Sequence, residues 1–181
     1  VVFDGEDDYV DLADQSLGGP MTIAVWARWD ALNDGSRLCD FADGEADDNI
    51  LINTYFTSAT ITFYTFVGSS QSNTPAAGSI VLGAWTHVVA TVQGTAVKLY
   101  QDGSLVSSID DGLEPASLTR ANHWLGRSAW DSDGYFEGAI LSLPIGSRAL
   151  GDAEVASLHA LGGSCLVAPS SAPTAAPTYP W

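Results

Sequence analysis

The sequence predicts an all-β, antiparallel domain with one short helix near its C-terminal end. Three observations carry that expectation. β-Branched and aromatic residues gather in short runs. Turn-forming residues stand between those runs. One segment alone carries helix start and stop signals.

The strand runs are Met21 to Trp29, Ile50-Leu51-Ile52, Ala59 to Val67, and His87 to Val92. Between them lie Asn33-Asp34-Gly35, Gly68-Ser69-Ser70, Gln93-Gly94-Thr95 and Asp102-Gly103-Ser104. Val97 to Tyr100, then Asp102-Gly103, then Leu105-Val106 reads as a hairpin, because Asp-Gly supplies the positive φ angles of a tight turn. Many short strands with regular turns point to a sandwich or barrel. The helix is expected over 152–161, with Asp152 as its cap, Val155, Leu158 and Leu161 on one stripe, and Gly162-Gly163 at its end. Trp26, Trp29, Phe63 and Trp85 sit inside strand patterns and are expected in the core.

The chain of 181 residues fits one domain, and 46% hydrophobic residues exclude a disordered chain. No apolar run reaches the roughly 18 residues of a membrane-spanning helix. We expect a domain over 1–163 and a linker-like tail over 164–181, where Ser, Thr, Pro and Ala dominate. Such a tail is expected to join the domain to others in a longer secreted or cell-surface protein. The formal net charge is −16, from 22 acidic and 6 basic residues. Nucleic acid and anionic membrane surfaces need a basic patch, so neither is an expected partner. Cys39 and Cys165 allow one disulfide in an oxidising compartment, the alternative being two buried thiols; the Cys39–Cys165 bond is the expectation carried forward.

Thirteen of the 22 acids lie at or before Asp48, and none lies between Asn49 and Gln101. Clustered oxygens suit calcium, which takes six to eight of them. Asp43-Gly44-Glu45-Ala46-Asp47-Asp48-Asn49 is the first candidate loop, and Asp131-Ser132-Asp133 the second. The first is not an EF-hand, because Asp48 stands where the glycine is needed and Thr54 where the bidentate Glu is needed. Glu6, Asp7 and Asp8 read as a solvated turn. The histidines and cysteines lack zinc-ligand spacing. No paired carboxylates of glycosidase type mark the strands from Asn49 to Gln101, so a non-catalytic domain is expected.

Several segments, in order, resemble the laminin-G-like, concanavalin A-like jelly-roll family. They are Phe3 to Val10, Met21 to Trp26, Leu82 to Val92, Val97 to Gly103, and Trp124 to Ser128 continuing to Gly134–Ile140 and Ser147–Leu150. The resemblance implies a two-sheet antiparallel jelly-roll sandwich that works as an extracellular binding module. Asp48-Asn49 before Ile50-Leu51-Ile52 also resembles the calcium-ligating Asp-Asn pair of the pentraxins, and Leu141-Ser142 departs from the acids usual there. The function expected is lectin-like binding of a glycan or glycoprotein, assisted by calcium. The calcium ligands would come from Asp43, Asp47, Asp48, Asn49, Asp131 and Asp133. Aromatic rings stack on the apolar faces of sugars, which nominates Trp130, Tyr55, Trp124 and Tyr135, with Arg127 beside them and Trp130 the most exposed. The rivals are a protein-interaction (adhesion) module and, more weakly, a divergent glycosidase.

Overall fold

Met21 to Trp29 and Trp85 to Gln93 carry apolar residues on both alternations, which a strand needs only when both its faces are covered. The computed structural model, which describes residues 1–162, shows what covers them. One face of each packs into the main core, and the other lies under the helix.

Strands are numbered in chain order. The first sheet runs β1 (Val2–Asp4), β14 (Glu137–Ser142), β4 (Met21–Trp29), β9 (Trp85–Gln93), β10 (Ala96–Gln101), β11 (Ser104–Ile109), with β15 (Ile145–Gly146) also on β4. The second runs β2 (Val10–Asp11), β13 (Asn122–Leu125), β5 (Arg37–Ala42), β6 (Ile50–Thr54), β7 (Ile61–Val67), β8 (Ser70–Asn73). A small ribbon pairs β3 (Ser16–Leu17) with β12 (Leu118–Thr119). Neighbouring strands are antiparallel throughout. This is the jelly-roll sandwich that the sequence predicts.

The core lies between the sheets. Ile23, Val25, Ala27 and Trp29 of β4 meet Leu38, Phe41, Ile52 and Phe63 of the second sheet. Cys39 is buried in this layer with no disulfide partner among the described residues, and burial pushes its thiol pKa up to about 12. Its expected disulfide partner, Cys165, lies outside the described residues, as does the whole of the expected tail, 164–181. Gly138 allows β14 to close on β4: its φ is +148°, and a Cβ there would stand 2.0 Å from the Arg28 carbonyl oxygen.

The helix, α1 (Asp152–Ala160), lies on the outer face of the first sheet, where Val155 and Leu158 pack with Ala24, Val89 and Tyr100. Its details correct the sequence reading. Gly151 is the N-cap, and its N–H donates to the Glu154 carboxylate at 2.9 Å. Asp152 instead accepts from Lys98 and Tyr100, tying the helix to β10. Leu161 is 65% exposed, past the last turn that touches the sheet. Trp29 and Phe63 are in the core, but Trp26 faces outward, stacked on His87 (4.9 Å) and His159 (5.4 Å). Trp85 is 44% exposed, because β9 begins there at the sheet's end and its ring lies against Arg28 instead.

Candidate functional site

Among the described residues no helix lies over the outer face of the second sheet, and side chains alternate along its strands. Ile50 and Ile52 of β6 point into the core, so Leu51 and Asn53 point out. Ile61 and Phe63 of β7 point in, so Tyr64 and Phe66 point out, their rings 6.4 Å apart and near parallel. On β5 the register against β6 shifts between Arg37 and Cys39, placing Leu38 and Cys39 both inward and leaving Arg37 and Asp40 on the outer side. Loops raise walls round this floor. The result is a cavity of about 460 Å³ with Arg37, Asn53, Tyr64 and Phe66 in its floor and Tyr55, Phe56 and Trp130 at its rim.

The rim is aromatic and held. Trp130 packs 6.1 Å from Phe66 and under the Arg37 guanidinium at 5.3 Å. It is half-buried as a cavity wall, not the most exposed ring that the sequence suggested. Tyr55 is exposed and meets Phe56 edge-on at 4.8 Å. Phe56 is 62% exposed and holds a left-handed φ of +53°, a costly backbone for a bulky residue.

Below the rim is a polar cluster that fixes the Trp130 loop. Asp40 is 0% exposed and accepts from Asn49 Nδ2 at 2.9 Å and from the Ala129 N–H at 2.9 Å. Burial raises its pKa to about 6, against the lowering pull of those bonds and of Arg37, whose Nε stands 3.8 Å away. Arg37 donates to Asp133 at 2.6 Å, and Ser128 Oγ donates to the same carboxylate oxygen at 2.7 Å. One guanidinium thus serves two carboxylates from different parts of the chain.

The remaining sequence candidates divide. Trp124 lies on β13 with Tyr9, 6.0 Å between ring centroids, and Arg127 stands over both rings at 4.2 and 4.9 Å. Tyr135 and Arg127 line a smaller cleft of about 40 Å³ that shares Trp130 and Asp133 with the main cavity. So Trp130 and Tyr55 belong to the cavity, Tyr135 and Arg127 to the adjoining cleft, and Trp124 to the stack behind it. Sequence reasoning missed Arg37, Phe56, Tyr64 and Phe66. Tyr64 and Phe66 were legible: two rings at i and i+2 on a strand whose other alternation is apolar present an aromatic face.

The residues named for calcium do not form one cage. Asp133 is committed to Arg37, a cation that repels a divalent ion, and both amide atoms of Asn49 are engaged, by Asp40 and by the Asp47 N–H. Neither fits. Asp43 and Asp48 each spend one oxygen on a backbone N–H, of Ala121 and Gly68, and keep a second; Asp47 is exposed beside them on the β5–β6 turn. These three keep free oxygens on one turn, near the Arg120 guanidinium. Asp131 is exposed on the other loop. Among the described residues, the carboxylates that converge within 4.8 Å as a threesome are Asp4, Asp7 and Asp8, close to the turn read as solvated.

A family model described as the concanavalin A-like lectin/glucanases superfamily matches residues 4–156. The chain belongs to this superfamily. No curated protein matches the chain. Among solved structures, domain 4 of an extracellular arabinanase from Geobacillus stearothermophilus, in complex with arabinotriose, superposes with a TM-score of 0.74 at 22% identity, covering 87% of this chain and 75% of that one. A heptameric pentraxin from Limulus polyphemus gives 0.66 at 14% identity, over 87% and 80% of the two chains. The sialidase carbohydrate-binding module of Ruminococcus gnavus, bound to α2,3-sialyllactose, gives 0.63 at 13% identity, over 84% and 97%. At these identities the likeness is one of fold.

Proposed function

We propose that this domain is a non-catalytic, extracellular carbohydrate-binding module of a larger secreted or cell-surface protein, and that the aromatic cavity on the second sheet is its sugar site. The observation that carries the reading is the cavity's composition. Five aromatic rings and a few fixed polar groups surround a space of about 460 Å³, large enough for one or two sugar rings. Rings supply flat apolar faces, while Asn53 and Gln71 supply hydrogen-bonding groups. Arabinotriose and sialyllactose are bound by neighbours of the same fold, which supports the substrate class. The charge at the cavity favours an uncharged sugar there: Asp34 and Asp133 line it, and Arg37 is occupied by its own carboxylates.

Two carboxylates at the cavity are unsuited to acid catalysis, which supports the non-catalytic reading. Asp40 has the raised pKa of an acid catalyst, but it is 0% exposed and both its oxygens are engaged. Asp133, which does line the cavity, is ion-paired.

A glycan array followed by calorimetry on the best binder tests the reading. Trp130→Ala and Tyr64→Ala are each expected to weaken binding by about thirtyfold, as truncated anchors in a desolvated pocket do. Wild-type-like affinity in both variants refutes it. Calcium is a separable part of the proposal. Asp43, Asp47 and Asp48 would hold the ion on the β5–β6 turn and relieve their mutual repulsion. Melting curves with calcium and with excess chelator are expected to differ, and to coincide in Asp48→Ala. Coincidence in the wild type removes calcium and leaves the sugar site standing.

A further inference from the structure

The protein has 22 acidic residues and 6 basic ones, so an unpaired basic side chain stands out. Arg28 pairs with Asp30, Arg37 with Asp133, Lys98 with Asp152 and Arg148 with Glu154. Arg120 is buried and donates to the carbonyls of Leu17, Ala116 and Asp48. Arg127 alone makes neither ion pair nor side-chain hydrogen bond with another described residue. Its guanidinium is nonetheless fixed in place. It stands 4.2 Å from the Trp124 ring centroid and 4.9 Å from that of Tyr9.

The two rings, set edge to face at 73°, hold the guanidinium by cation–π contact, which uses none of its N–H donors on another side chain. The N–H edge is a planar fork of donors, shaped for an oxyanion. Its position gives it an address. Arg127 lines the small cleft of about 40 Å³ whose other walls include Trp130 and Asp133, the residues that also bound the main cavity. The two recesses meet at Trp130 and Asp133, so a saccharide that runs past Trp130 from the cavity would bring a substituent of its next unit to the Arg127 side. Asp131 and Asp133 line the same cleft, but Asp133 is already neutralised by Arg37, so Arg127 is the cation there with donors to spare.

We infer that Arg127 is a specificity-determining residue that accepts an acidic substituent, a carboxylate or a sulfate ester, on the saccharide unit next to the one held in the aromatic cavity. The preferred ligand is then a mixed oligosaccharide: an uncharged unit over Tyr64 and Phe66, and an acidic unit at Arg127. The inference rests on the sugar-site reading, and deepens it. The stack of Tyr9, Trp124 and Arg127 holds the donor edge ready before the ligand arrives, so little ordering is needed on binding.

The test uses an array of matched trisaccharides that differ in one group: a hydroxymethyl, a carboxylate in its place, or a sulfate ester on it. The wild type is expected to bind an acidic member about tenfold or more tightly than its neutral match, the worth of one charge-assisted hydrogen-bonded pair. Arg127→Gln and Arg127→Met are expected to erase that preference while leaving neutral binding within about twofold, with the fold intact and the melting temperature lowered by a few degrees at most as the ring contacts are lost. Arg127→Lys keeps the charge without the fork and is expected to recover part of it. The carboxylate and sulfate arms tell which oxyanion the fork reads. Equal binding of acidic and neutral members by the wild type overturns the inference, as does a preference that survives both Arg127→Gln and Arg127→Met. Binding that ignores both Trp130→Ala and Tyr64→Ala sinks the sugar-site reading itself; binding that needs either ring but ignores Arg127 sinks only the acidic subsite.

Discussion

Replacing Arg37 by Met should destabilise the protein in a pH-dependent way, because it leaves a buried charge without its partner. Arg37 is 7% exposed and its closest carboxylates are Asp133, at 2.6 Å, and Asp40, at 3.8 Å. Methionine keeps much of the stem's volume and removes the cation. Asp133 is 22% exposed and can regain water, whereas Asp40 is 0% exposed and cannot. Losing one partner of a buried pair costs about 3–5 kcal/mol. The pH dependence follows from Asp40. Its folded pKa is about 6 with Arg37 in place, above the ordinary carboxylate value, so its ionised form already costs stability as pH rises through that window. Without Arg37 that pKa climbs further, and each added unit costs about 1.4 kcal/mol at pH 8. At pH 5 Asp40 is mostly protonated with or without Arg37, and this part of the loss disappears. Urea unfolding at pH 8 and pH 5 measures both. The loss should approach 3–5 kcal/mol at pH 8 and be smaller by about 1–2 kcal/mol at pH 5. A loss that is equal at the two pH values refutes the assignment of Asp40 as the stranded charge.

Two further outcomes follow from the fold. Desolvation first, then the neighbouring His159, lowers the His87 pKa to about 4, so the unfolded chain binds a proton on this residue below about pH 6.5 that the folded chain refuses. His87 should therefore withdraw stability as pH falls from about 6.5 towards 4, and its ring should titrate by NMR near 4; a midpoint at 6 or above refutes the stacked, dry environment beside Trp26. Gly138→Ala should cost several kcal/mol, about 3 or more, since a Cβ would meet the Arg28 carbonyl at 2.0 Å in a φ region closed to other residues. A melting temperature within a few degrees of wild type would show that β14 and β4 do not close as described.

Strand and turn chemistry determined much of this protein by itself. The runs at Met21–Trp29 and Ile61–Val67, the Asp102-Gly103 turn and the single helix were all legible, because local propensity and hydrophobic content agree with the final packing there. The aromatic content of the site was legible too, at Trp130 and Tyr55. What covers each face was not. Trp26 and Trp85 sit in the same kinds of pattern as Trp29, yet one lies under the helix and one in solvent, since a strand's alternation does not say what packs on its second side. The acidic loops read as one metal set because charge spacing is visible in sequence. Their partners are not. Asp133 meets Arg37 across 96 residues and Asp40 meets Ala129 across 89, so a guanidinium and backbone donors satisfy carboxylates that looked free. The cavity is likewise a product of the tertiary fold: alternate residues of β5, β6 and β7 build its floor, and loops brought together by strand pairing build its walls. Local chemistry is written residue by residue, whereas a site made of long-range contacts exists only once the sheets have closed.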